Sequence, residues 1–303
     1  MKNPSDIFQA KISRRRLLKK TSLAAVSGIL ALNLPENLFA SGKEKSRVVM
    51  IRDRDLFNEN ETLKPETVQS MLDQAVKILT DSSTISDAWK KFIRPTDIVG
   101  IKTNVWNYLP TPRELEDAIE KRVLDCGVPQ KNLSIDDRGV RDNPVFRKAT
   151  ALINTRPMRT HDWSGVGTCI KNYIQFSDNP PSLHPDSCAD LAKVWFYPEL
   201  AGKTRLNILV MFTPMYHNVG PTHFSKKYLW KYNGLIVGAD PVAVDATGMR
   251  IIQAKRLKEF GEDRPINPSP KHIEVADKKY KLGNYDPAGI ELIRLGWQED
   301  SLI

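Results

Sequence analysis

Cysteine is scarce in this chain: Cys126, Cys169 and Cys188 are the only three in 303 residues. They are too few and too scattered for a disulfide framework, although one bridge with one thiol left over fits the count. The chain has no glycine-rich dinucleotide loop, no Walker phosphate loop and no G-x-S-x-G elbow, which removes the usual nucleotide-binding and hydrolase signatures. It also lacks an uncharged run of the ~20 apolar residues needed to cross a hydrocarbon core; Thr21 to Leu34 falls short. Internal repeats and low-complexity tracts are absent. The basic excess is local, because Lys2, Lys11, Arg14, Arg15, Arg16, Lys19 and Lys20 face only Asp6 and Glu36 in the first forty residues, which thus hold five of the nine net positive charges. Beyond them acids and bases are interspersed, with no basic stripe, so no nucleic-acid partner is expected.

What the N-terminus does contain is a basic start, a short apolar middle and a small-residue end, the layout of a targeting segment. Ser13-Arg14-Arg15-Arg16-Leu17-Leu18-Lys19 resembles the twin-arginine export signal, with Leu17 where such signals usually carry Phe. Ala40-Ser41-Gly42 supplies small residues for cleavage, while retention as an anchor stays open, so membrane contact is expected only through an uncleaved N-terminus. Residues 1–42 are therefore read as a signal segment, and residues 43–303 as one α/β domain that is exported to the periplasm or the outer face of the cytoplasmic membrane. The expected partner is the twin-arginine machinery, which carries folded proteins; loading a cofactor before export would be one reason to use it.

In the remaining chain, Val48–Ile51 reads as a strand and Val68, Met71, Leu72, Ala75, Val76 and Leu79 as one buried helical face. "DIVGIKTNV" reads as a strand, Thr111-Pro112-Arg113-Glu114 as a capping box opening a helix that Gly127 ends, and Leu133–Ile135 as a strand. This β-α-β-α-β order predicts a mostly parallel sheet with helices on both faces. From about Arg138 to Leu206 the pattern is irregular and reads as a central insertion. Leu206–Phe212 and Leu235–Gly238 read as strands, the second leading into a helix that Asp240 can cap. Lys271–Leu282 reads as a polar hairpin or loop, and Asp286-Pro287 as the start of a short last helix.

Ligands of open parallel sheets collect beyond the carboxyl ends of the strands. Lys102, Thr103 and Asn104, then Asp136, Asp137 and Arg138, then His217, and then Asp240 each follow a predicted strand, although Asp240 could do no more than cap its helix. Lys102 and Asn104 with Lys171 and Asn172 make a candidate anion pocket, lysines supplying charge and amides supplying donors. Asp245 sits inside a helix where an acid needs a partner, and is expected to lean toward the sheet edge and meet a Lys, Arg or backbone donor. His161, His184 and Cys188 are candidate ligands for zinc or iron, the spacing of four placing His184 and Cys188 on one helical face. Asp162, Cys169, His217 and His223 are further donors in the same half of the chain.

"VGIKTNV", "GVGTCIKN" after His161, "LHPDSCADL" and "LIVGADPVAVDATG" together resemble the domain of unknown function family 362 over nearly all of the mature chain. Some relatives join this domain to cysteine-rich ferredoxin modules. This chain has no closely spaced cysteine set, so a ferredoxin-type cluster of its own is not expected. The leading expectation is an exported protein that binds a small anionic ligand or cofactor, with or without a metal, at the carboxyl edge of its sheet. The rival is a noncatalytic accessory subunit of an exported or membrane-bound redox complex.

Overall fold

Alternating apolar side chains of β1 (Ser46–Arg52) face two ways, and both ways are buried. Val48 and Met50 join a core with Val242, Val244 and Ile251, whereas Val49 and Ile51 point to the face on which α1 (Pro65–Leu79) packs. The computed structural model describes residues 45–217 and 224–303, so the signal segment and His223 lie outside the described residues. Among those described, no helix is long and apolar enough to cross a membrane.

All six apolar positions expected on α1 are buried. Asp73, on the same inner face, accepts from Arg122 Nε at 2.7 Å. After the short α2 (Ile85–Lys90) come β2 (Val99–Lys102), α3 (Arg113–Asp125) and β3 (Leu133–Asp136). Gly127 ends α3 at φ +91°, as its place in the sequence predicts. The capping box does not form, because Pro112 is the cap residue and the Thr111 hydroxyl instead accepts from Asn104 N at 3.2 Å.

Besides 3₁₀ turns and a kinked turn at Pro185–Cys188, there follow α4 (Pro144–Lys148), β4 (Ala151–His161), β5 (Gly165–Gly167), α5 (Cys169–Asn172), β6 (Thr204–Met215), β7 (Gly234–Gly238), α6 (Pro241–Phe260), α7 (Lys271–Lys278) and β8 (Ile290–Gly296). One mixed, mostly parallel sheet results, in the order β3-β2-β4-β6-β7-β1-β8, with β5 paired to β4. β7 is antiparallel to both β6 and β1; the other strands on that path run one way.

Three expectations are corrected. The region read as irregular contains β4, eleven residues long and buried throughout. Its alternation is masked because both faces of a central parallel strand are covered, and because Pro157 sits at a shift of register between Pro157 and Arg159. Lys271–Leu282 holds helix α7, which buries His272, Ile273 and Ala276. The expected last helix is a single 3₁₀ turn followed by β8, which lies parallel to β1 at the sheet edge. β1 lies between β7 and β8.

Candidate functional site

β2 ends opposite Asn154, but β4 continues to His161, so its last turn of chain overhangs the carboxyl ends of β2 and β3. This overhang carries Arg156, Arg159 and His161 into a crevice of about 220 Å³, lined also by Asn104, Asp137, Lys171, Asn172 and His184. A register shift at Pro157 is the kind of irregularity that re-aims side chains at such rims.

Opposite the overhang stands α5, which is tied to the sheet by amides. Asn172 Nδ2 donates to Asn154 Oδ1 at 2.9 Å and to Thr155 O at 3.1 Å. Asn154 Nδ2 donates to Cys169 O at 3.0 Å and to Asn207 Oδ1 at 3.1 Å, and Asn207 Nδ2 donates to Ala239 O at 3.0 Å. Asp245, fully buried on α6, accepts from the N–H groups of Cys169 at 2.9 Å and Ile170 at 2.8 Å. The expected backbone partner is thus found, and its effect is to hold the helix that carries Lys171 and Asn172.

Cations outnumber acids along the crevice, whose one lining acid, Asp137, is paired with Lys102. Arg156, Arg159 and Lys171 are each at most 4% exposed, and among the described residues none of them forms an ion pair. Arg156 Nε and Arg159 Nε have no hydrogen-bond partner among the described residues. The Arg159 guanidinium lies 3.9 Å over the Trp106 ring. Burial lowers both guanidinium pKa values, and for Arg159 the neighbouring Arg156 charge adds to the effect. Burial likewise brings the Lys171 amine down to about 8, opposed by Cys188 and aided by Arg156 and Arg159. Gly167 belongs to the same design: a Cβ there would stand 2.9 Å from Arg156 Nη2, so the absence of a side chain makes room for the guanidinium.

Lys102 is also buried, but it is paired. Its amine donates to the Asp137 carboxylate and to Thr103 O at 2.8 Å, and burial outweighs that carboxylate to bring it down to about 8. Asp137 additionally accepts from Val105 N at 2.9 Å, whereas Asp136 accepts from Gly139 N at 3.0 Å and builds the turn. Asn104 Nδ2 and Lys102 Nζ both reach Asn172 Oδ1 at 3.4 Å. Of the four residues grouped in the sequence, Asn104, Lys171 and Asn172 therefore line one crevice, while Lys102 lies buried behind it, bonded to Asp137 and Asn172. Arg156 and Arg159 are missed by the sequence reading; their only signal is two arginines three apart, which means nothing until β4 is recognised.

Asp240 is elsewhere. Because β7 runs against its neighbours, its carboxyl end opens at the amino edge of β1, where Asp240 accepts from Val242 N, Ala243 N and Asn284 N and from Ser46 Oγ at 2.6 Å. It caps α6 and fastens β1. His217 also lies apart, its Nδ1 3.0 Å from Arg256 Nη1.

His161, His184 and Cys188 gather around Trp163. That ring is 4.1 Å from His184 and 6.1 Å from His161, and the Cys188 thiol donates to Trp163 O at 3.6 Å. His184 and Cys188 do not share a regular helical face, because Asp186, Ser187 and Cys188 all have left-handed backbone angles. Among the described residues no group of three or more His, Cys, Asp or Glu is arranged to hold a metal. Burial and the Arg159 charge lower the His161 pKa, while burial and Lys171 bring His184 down to about 4, so both imidazoles are neutral donors at pH 7.

The fold and crevice define an α/β protein with a cationic pocket at the carboxyl edge of a mixed sheet. The family model described as domain of unknown function (DUF362) matches residues 99–250, half of the chain, and the chain belongs to that family. Every residue lining the crevice falls within the matched stretch. No curated protein and no solved structure matches the chain.

Proposed function

We propose that this is an exported protein that binds a small anion in the crevice between the β4 overhang and α5. The observation that carries the reading is the trio Arg156, Arg159 and Lys171, buried together with no ion pair among the described residues. Leaving a charge buried and uncompensated costs several kcal/mol, and a carboxylate or phosphate that accepts from the two guanidinium groups offsets that cost. The same charges disfavour zinc or iron, since a cation held by His161 and Cys188 would sit beside Lys171, whose amine is 3.5 Å from Cys188 Sγ. The volume fits a small organic acid: at the ~30 Å³ that a water occupies in the liquid, 220 Å³ corresponds to about seven waters.

Thermal unfolding of the purified full chain in the presence of phosphate, succinate or citrate tests the proposal. At least one anion at about 100 times its Kd is expected to stabilise by about 2.7 kcal/mol, with the effect lost in Arg156→Leu and Arg159→Leu. Equal melting with and without every anion would remove the reading. The accessory-subunit alternative draws on Val105, Tyr108 and Trp163, which are exposed near the crevice mouth. Stable co-purification with other subunits from native membranes would favour it.

A further inference from the structure

Two lysines reach the crevice region, and their surroundings differ. The Lys102 amine is saturated by Asp137, Thr103 O and Asn172 Oδ1. The Lys171 amine, 3% exposed and on the crevice wall, has among the described residues one hydrogen-bond partner, the Cys188 sulfur at 3.5 Å. Sulfur is a weak acceptor, so this contact engages the amine only weakly. Among the described residues no carboxylate pairs with Lys171, whereas Asp137 pairs with Lys102. Arg156 and Arg159 meanwhile offer planar forks that suit a carboxylate, in the same enclosed space. A nucleophilic amine beside an anion receptor is the arrangement that carbonyl substrates bearing an acid group require.

We infer that Lys171 forms an imine with the carbonyl carbon of a 2-oxo acid whose carboxylate is held by Arg156 and Arg159. The inference rests on the anion-binding reading above. In the step, the neutral amine adds its lone pair to the carbonyl carbon; the carbon–oxygen bond breaks as the oxygen takes both amine protons and leaves as water. The imine nitrogen then takes one proton from solvent and becomes an iminium, whose charge draws electrons from the neighbouring carbon. The adjacent guanidinium groups keep the acid ionised and oriented, and Asn104 Oδ1, buried without a partner among the described residues, is in the crevice wall to accept from a second polar group.

The test is reductive trapping. The full chain is incubated with pyruvate or 2-oxoglutarate and sodium borohydride, then read by intact mass and peptide mapping. One adduct per chain is expected, with the mass of the acid less one oxygen, located on Lys171 and lost in both Lys171→Met and Lys171→Arg. Melting is followed in parallel with succinate and phosphate, which carry no ketone. If those anions stabilise the protein but no adduct maps to Lys171, or if reduction marks surface lysines alone, the imine is overturned and the anion site stands. If no anion shifts the melting and nothing is trapped, both fail. Mapping on the unaltered chain keeps the result readable should a Lys171 variant not fold.

Discussion

At the scale of single residues, His272 shows how burial writes a pH dependence into this fold. It is fully buried, with Nε2 3.3 Å from the Thr168 hydroxyl and Nδ1 without a partner among the described residues. Burial, and then the charges of Lys171 and Arg156, bring its pKa down to about 3, against ~6.5 in an unfolded chain. Between those values the unfolded chain binds the extra proton, so the stability tied to this residue is present above ~6.5 and is lost as pH falls toward 3, by about 3 kcal/mol at pH 4.5. Asp245, reached through Thr168, works the other way: burial pushes it up to about 7, so its contribution is present in acid and is lost as pH rises through that value. His272→Phe should therefore raise the melting temperature at pH 4.5 relative to pH 7, compared with the unaltered chain. Parallel pH profiles for the two proteins would show that the histidine carries no such linkage.

At the scale of elements, the two acids of the "ADPVAVD" stretch do different work from one helix. Asp240 caps α6 and bonds Ser46 and Asn284 at the amino edge of β1; Asp245, just over one turn on, supports α5 from beneath the crevice. Replacing Asp240 by Ala should lower stability by about 2 kcal/mol while anion binding persists. Replacing Asp245 by Ala leaves two backbone N–H groups of α5 buried without acceptors, for a loss of about 2–4 kcal/mol, and should weaken anion binding because Lys171 and Asn172 ride on that helix. Denaturant melts paired with anion titrations separate the cases; equal binding in both variants would mean that α5 keeps its place without Asp245.

At the scale of the whole molecule, the signal segment and the crevice make separate claims. Arg14 and Arg15 stand in register with Ser13, Leu17, Leu18 and Lys19, outside the described residues, and replacing both with Lys keeps the charge. Fractionation of cells should then find the protein retained in the cytoplasm; normal export of the Lys-Lys chain would end the twin-arginine reading. Much of the fold is legible in the sequence because its signals are local: the face of α1, the glycine that stops α3, the cap and proline that open α6, and the apolar runs of β1, β2, β6 and β7 need no distant partner to be read. Lys102, Asn104, Lys171 and Asn172 are legible as a group for a similar reason, since strand ends and short polar motifs point to a sheet edge. The elements that escape are those whose character depends on neighbours. β4 is a strand because β2 and β6 flank it and both faces are covered, so its Asn, Arg and Pro hide the alternation that an exposed strand would show. α7 is a helix because His272, Ile273 and Ala276 have a core to enter, and β8 a strand because β1 offers an open edge. Asp240 falls away from the crevice solely because β7 runs antiparallel, and strand direction is a property of the assembled sheet. Sequence alone thus sets the class of fold and half of the pocket; the tertiary structure decides the pocket's charge, because only the overhang of β4 brings Arg156 and Arg159 beside Lys171.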